Sequence, residues 1–185
     1  MTRADAGLTP AETVLALAEV QKALSEGNEH RAAQALQFAL SNGYERRALA
    51  ASKARQWTLA LELFRKAAEY AQEQEHQTLL SNAAICCLNL GLEHEKARRE
   101  EEALAAFTKA VEFNPAYAKA HYARAKVLAR TLPQDAGSLQ SQVSEAIESL
   151  QRAISLDYSY RPTAQRDADF DALRNHPAVR LVLGN

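Results

Sequence analysis

Apolar residues return every three or four positions through most of the chain, which is the spacing that gathers them on one face of a helix. Leu15, Leu17, Val20 and Leu24 predict a first helix that opens at Thr9-Pro10-Ala11-Glu12 and stops near Gly27-Asn28. Thr9 is placed to cap orphan N–H groups, Pro10 fits the first helical position, and Glu12 suits a capping box. Ala32, Leu36, Ala39 and Leu40 predict a second helix ending at Asn42-Gly43. Those two helices make one hairpin over 10–41, and residues 1–8 are left as a tail. From Tyr44 to Gln72 there is neither Gly nor Pro, so periodicity alone allows one long helix there.

Self-similarity supplies the missing break. Ala60, Phe64 and Ala67 recur as Ala103, Phe107 and Ala110, and again as Ala146, Leu150 and Ala153, each set 43 residues after the last. A small residue, a large one four on and a small one three further lie on one helical face, with alanines where two helices approach closely. The repeat places a turn near Arg55-Gln56 and divides 44–72 into two antiparallel helices. Further hairpins follow over 77–113 and 117–157. The fold class expected is all-α, a solenoid of antiparallel helical hairpins.

These residues resemble the tetratricopeptide repeat family. Ala103, Phe107 and Ala110 followed by Pro115 match its second-helix and closing-proline pattern, and Leu80, Ala83, Ala84, Cys87 and Gly91 match its first helix. Trp57 falls where the family often has an aromatic. The turn Asn114-Pro115-Ala116-Tyr117 is similar to its inter-repeat turn. The resemblance implies a right-handed superhelix over residues 9–160. The family's unit is about 34 residues, so the longer period here puts surplus helical turns at Leu92–Glu102 and a loop at Leu132–Ser138. A HEAT-like array, with a similar repeat length, is the alternative fold. Residues 161–185, from Arg161-Pro162 onward, resemble the short capping helices that end many bacterial members. Phe170, Leu173, Val179, Leu181 and Val182 are the side chains expected to cover the last repeat, because a solenoid's end otherwise leaves apolar surface in water.

Composition and charge narrow the function. The 22 basic residues nearly balance 23 acidic ones for a net charge of -1, so no basic field favours nucleic acid. Val14 to Leu24 is too short and too charged for a secretory or membrane segment. A cytoplasmic protein with no membrane partner is expected. Cys86 and Cys87 are adjacent, a poor geometry for a disulfide within one helix, and read as core residues. The five histidines are scattered without metal-pair spacing, and neither a phosphate loop nor a nucleophile elbow is present. No catalytic residue, no metal and no cofactor is therefore assigned, and the chain is read as a non-enzyme. Asp167, Asp169 and Asp171 have the alternation that opens a calcium loop, but Ala172 stands where that loop needs Gly and Ala178 where it needs Glu. Helix capping by Asp167 or Asp169 is the ordinary reading. Lys96–Glu102 reads as a solvated helix with its charges paired along one face.

The resemblance implies a concave groove lined by the first helix of each repeat. Its inward positions map to Glu45, Arg46, Leu49 and Lys53, then Ser81, Asn82, Ile85 and Asn89, then Lys119, Tyr122, Lys126 and Arg130. The binding residues singled out are Lys53, Asn82, Asn89, Lys119, Tyr122, Lys126 and Arg130. The last four form one stripe in which three cations around an aromatic suit a carboxylate or acidic peptide. The opposite reading is a plain polar face over the core residues Ala118, Ala125 and Leu128. Some family members clamp a chaperone's C-terminal carboxylate. Asn82 and Lys119 match that clamp, whereas Glu45, Leu49 and Ala123 depart from it, which argues against a chaperone-tail receptor. The function expected is a protein-binding module, adaptor or scaffold. A homo-oligomeric subunit using repeat ends or the convex face is the alternative. The long turn at 131–141 is the place where a ligand-dependent ordering would be easiest.

Overall fold

The computed structural model describes residues 10–132 and 136–184, and the described residues are helical throughout with no strand. The chain divides into two compact units, Met1–Cys86 and Cys87–Asn185. Most packing runs between helices that are neighbours in sequence, the pattern of a helical-repeat, solenoid-like architecture.

The first unit holds α1 (Pro10–Ser25), α2 (Glu29–Lys53), α3 (Trp57–Tyr70) and the start of α4 (Glu73–Lys96). In α1 the small residues Ala16 and Ala23 are buried, while Val14, Leu15, Leu17 and Leu24 remain exposed. The break expected at Asn42-Gly43 does not exist, because α2 runs unbroken for 25 residues. A glycine inside a helix costs about 1 kcal/mol, and tertiary contacts on either side of Gly43 outweigh it. Ser41 Oγ donates to the Ala67 carbonyl at 3.0 Å, and the Tyr44 ring stacks on Tyr70. Tyr44, Ala48 and Ala51 continue the same buried face. The turn expected at Arg55-Gln56 is present, and α3 presents Ala60, Phe64 and Ala67 to the interior, each no more than 2% exposed. Helix α4 begins at Glu73, four residues before the expected start.

The second unit holds the rest of α4, α5 (Glu100–Phe113), α6 (Ala118–Arg130), α7 (Ala136–Leu156), α8 (Tyr160–Arg166), a 3-10 segment (Ala168–Leu173) and α9 (Pro177–Leu183). Ala103, Phe107 and Ala110 on α5, and Ala146, Leu150 and Ala153 on α7, are again buried. Gly91 of α4 lies against Phe107 so closely that a Cβ there would have three ring carbons within 2.9 Å. A glycine is needed where an aromatic presses on the helix backbone. Part of the surplus at Leu92–Glu102 extends α4 to Lys96. Lys96–Glu102 is nevertheless not one helix, since residues 97–99 turn the chain between α4 and α5. The expected loop at Leu132–Ser138 is shorter than its sequence suggests: α7 already begins at Ala136, and residues 133–135 lie outside the described residues. The expected tail and the Thr9 cap lie outside them as well.

Three of the interhelical turns share one geometry. Gly27, Arg55 and Arg98 take positive φ values of 71°, 56° and 59°. In each turn the next N–H reaches back to a carbonyl five residues earlier, at 2.9 Å from Asn28 to Ala23, Gln56 to Ala51 and Arg99 to His94. This 6→1 bond is the Schellman closure, which ordinarily selects glycine at the left-handed position. Arginine fills it twice, at the ends of two Lys-Ala-Arg runs 43 residues apart (53–55 and 96–98). The repeat therefore extends beyond the alanine triplets to the turn itself.

Phe170, Leu173, Val179 and Val182 are buried in the second unit's core together with α6 and α7. Leu181, expected among them, is 79% exposed. In the short α9 the helical period carries Val179, Val182 and Leu183 inward and leaves Leu181 on the opposite side.

Candidate functional site

Helix α6 positions the basic stripe. Its alanine face (Ala120, Ala125, Ala129) is buried, and Tyr122, Lys126 and Arg130, spaced by four residues, project along a neighbouring face. The structure brings these three together and fills them from within the same unit. Tyr122 donates its hydroxyl to Asp167 Oδ2 at 2.8 Å. Lys126 Nζ lies 3.3 Å from Asp167 Oδ2 and 2.9 Å from Asp169 Oδ2. The Arg130 guanidinium spans Asp169 at 3.1 Å, Glu95 at 2.9 Å and Glu100 at 2.7 Å. Two cations and a phenol thus meet four carboxylates. The Tyr122 ring stacks on Tyr160 with centroids 4.6 Å apart and meets Phe170 at a tilt.

The carboxylates are themselves held. Asp167 caps the 3-10 segment by accepting from the Asp169 N–H at 3.1 Å, the capping role its position suggested. Arg174 donates to the Gln165 carbonyl, to the Asp167 carbonyl and to Asp171 Oδ1. The three alternating aspartates therefore divide: Asp167 and Asp169 share Lys126 and face α6, and Asp171 faces Arg174. Gln165 Nε2 donates to the Leu183 carbonyl at 2.8 Å, tying α8 to the end of α9.

Protonation follows from these contacts. Burial, reinforced by the Asp167 carboxylate, pushes the Tyr122 phenol above its usual range, which favours the protonated form that donates to Asp167. Burial works against the Lys126 ammonium, and the Asp169 and Asp167 carboxylates outweigh it, leaving its pKa raised. The Asp167 carboxyl is lowered: burial opposes ionisation, and the Asp169 N–H, the Tyr122 hydroxyl and Lys126 together overcome that.

The remaining groove positions are distributed differently. Lys119 is exposed at the start of α6, and Asn89 is half-buried on α4, both in the second unit. Arg124, beside the clamp position, points elsewhere, donating to Thr108, Ser149 and Glu145. In the first unit, Ser52 Oγ lies 3.7 Å from Cys86 Sγ and so sets the end of α2 beside α4. Around that contact α2 carries Leu49 and Lys53, and α4 carries Asn82 and Ile85. Lys53 is exposed and Asn82 half-buried, while Leu49 and Ile85 are 42% and 43% exposed.

Sequence reasoning did not find Glu95, Glu100, Asp167 and Asp169 as partners of the stripe. For Glu95 and Glu100 a signal was present, because the repeated Lys-Ala-Arg run marks the turn that they flank. No helix of the described residues is long and apolar enough to cross a membrane. Comparison with protein-family models gives no match for this chain, and no curated protein is significantly similar to it.

Proposed function

We infer that the chain is a tetratricopeptide-type module that holds a peptide or a segment of a partner protein, acting as an adaptor or scaffold with no catalytic step of its own. The scaffold reading is supported by the three buried small-large-small sets and by the repeated turn. The binding reading rests on one observation: Leu49 and Ile85, at positions the repeat pattern turns toward a ligand, are large aliphatic residues left more than two-fifths exposed. They flank Lys53 and Asn82, which supply a charge and an amide able to bond an extended backbone.

The acidic preference expected of Tyr122, Lys126 and Arg130 loses its basis, since the chain's own carboxylates already satisfy them. The partner chemistry proposed is instead an apolar side chain on an extended segment, docked between α2 and α4 of the first unit. The test is capture from native lysate by the parent and by Leu49→Glu/Ile85→Glu, followed by titration calorimetry of each retained protein after purification. A protein that binds the parent and loses at least tenfold in affinity for the folded variant supports the reading. Equal affinity for both moves the site off this face.

A further inference from the structure

Ser41, His121 and Ser149 are the polar side chains buried among the described residues. Ser41 is bonded to the Ala67 carbonyl. The other two, 7% and 1% exposed, line one cavity of about 430 Å3 in the second unit, where α5, α6 and α7 meet. Small-molecule sites commonly span about 300–1,000 Å3. Val111 of α5 and Pro115 give the cavity an apolar wall, and Arg124 of α6 with Arg152 and Glu148 of α7 bring charge to it.

Hydrogen-bond donors are in surplus here. His121 Nε2 lies 3.0 Å from the Pro115 carbonyl. A carbonyl only accepts, so Nε2 carries the proton of the neutral ring and Nδ1 is left as an acceptor. The terminal nitrogens of Arg124 donate to Ser149 Oγ and Glu145, and each has a second N–H. Ser149 Oγ receives its bond at 2.7 Å, and among the described residues nothing accepts its own O–H. Arg152, likewise, has no carboxylate within ion-pair distance among them, and its five N–H donors stand at the cavity wall. The local field has the matching sign. Burial is the main cause of the lowered His121 pKa, against the bond to Pro115, and Arg152 and Arg124 each lower it by more than Glu148 raises it.

An occupant suited to this lining accepts several hydrogen bonds, carries negative charge and offers a proton to Nδ1. A carboxylate, ionised near neutral pH, meets the first two conditions only. A phosphate monoester, whose second pKa is about 6, meets all three. We propose that this cavity binds a phosphate monoester, with Arg152, Arg124 and Ser149 donating to its oxygens, His121 Nδ1 sharing its proton, and Val111 and Pro115 against its organic part. The proposal does not rest on the groove reading, whose residues lie in the first unit.

NMR of the histidine rings in the full chain, titrated with phenyl phosphate at constant ionic strength, reads occupancy at His121. The expected result is a saturable shift of the His121 resonances, half complete below about 5 mM, with the other four histidines unmoved. The His121 pKa should rise on binding, because the anion stabilises the imidazolium. Arg152→Gln, at an exposed position, should weaken binding about tenfold with an unchanged circular dichroism spectrum, and phenylacetate should bind the parent about tenfold more weakly than phenyl phosphate. The absence of a saturable shift up to about 50 mM overturns the proposal. So does an Arg152→Gln variant that binds as the parent does, or equal affinity for phenylacetate. A phosphoserine peptide titrated in the same way identifies the source: tighter binding than phenyl phosphate assigns the phosphate to a protein side chain, weaker binding assigns it to a small molecule, and either order supports the site.

Discussion

Replacing Gly91 with alanine separates two effects of opposite sign. In an isolated helix the change stabilises by about 1 kcal/mol, because glycine leaves more backbone entropy to lose on folding. In this chain the added methyl meets the Phe107 ring, with three of its carbons inside 2.9 Å. Ordinary contact begins near 3.5 Å. Phe107 is completely buried, so the ring has no open space into which it can swing. Overpacking of this kind costs roughly 1–3 kcal/mol. Net destabilisation of up to about 2 kcal/mol is expected once the propensity gain is subtracted. Urea unfolding followed by circular dichroism measures it as a lowered midpoint at unchanged slope. Phe107→Leu tests the cause, since the smaller side chain has no aromatic edge over position 91. In that background Gly91→Ala should be neutral or stabilising, and the difference between backgrounds isolates the pairwise term. If Gly91→Ala alone raises the midpoint as it would in a solvated helix, the close approach of α4 and α5 is wrong.

Arg55→Gly and Arg98→Gly remove a side chain from left-handed backbone, and each should stabilise by about 0.5–1 kcal/mol in the same urea assay. Tyr122→Phe leaves the ring stack intact and removes the hydroxyl donated to Asp167. The expected loss is about 1–2 kcal/mol, together with a rise in the Asp167 carboxyl pKa followed by carbon NMR. Because Asp167 titrates lower when folded than when unfolded, its contribution is present in full above the unfolded value of about 4 and is lost as pH falls through the folded one. Stability measured from pH 5 to pH 2 should therefore fall less steeply in Asp167→Asn than in the parent; parallel curves would show that this carboxylate does not govern the acid limb.

Which parts of the fold were legible follows from the range over which each is decided. The alanine-aromatic-alanine sets were legible because a helix face and its neighbour lie within a few tens of residues. All nine of those positions are buried. The break at Asn42-Gly43 was misleading for the same reason that makes such signals useful elsewhere: Asn and Gly report local propensity. Ser41 and Tyr44 are tied to Ala67 and Tyr70, a contact 26 residues away that propensity does not contain. Arginine at the left-handed turn positions hides the opposite way, since a residue ordinarily good for helix occupies the place where the helix ends. Only the repetition of Lys-Ala-Arg reveals it.

The basic stripe shows the limit more sharply. Its membership was readable from four-residue spacing on one helix, yet its partners lie 30 to 45 residues away in sequence. Charge balance offered a clue. A nearly neutral chain has as many carboxylates as cations, so a cluster of bases on a half-buried face finds its counter-ions within the chain more cheaply than in a ligand, which loses translational freedom on binding. Leu49 and Ile85 on one side, and Val14, Leu17 and Leu24 on another, remain in water where the polar stripe does not. With the basic stripe paired inside the chain, the proposed binding reading rests on exposed apolar side chains instead of on charge.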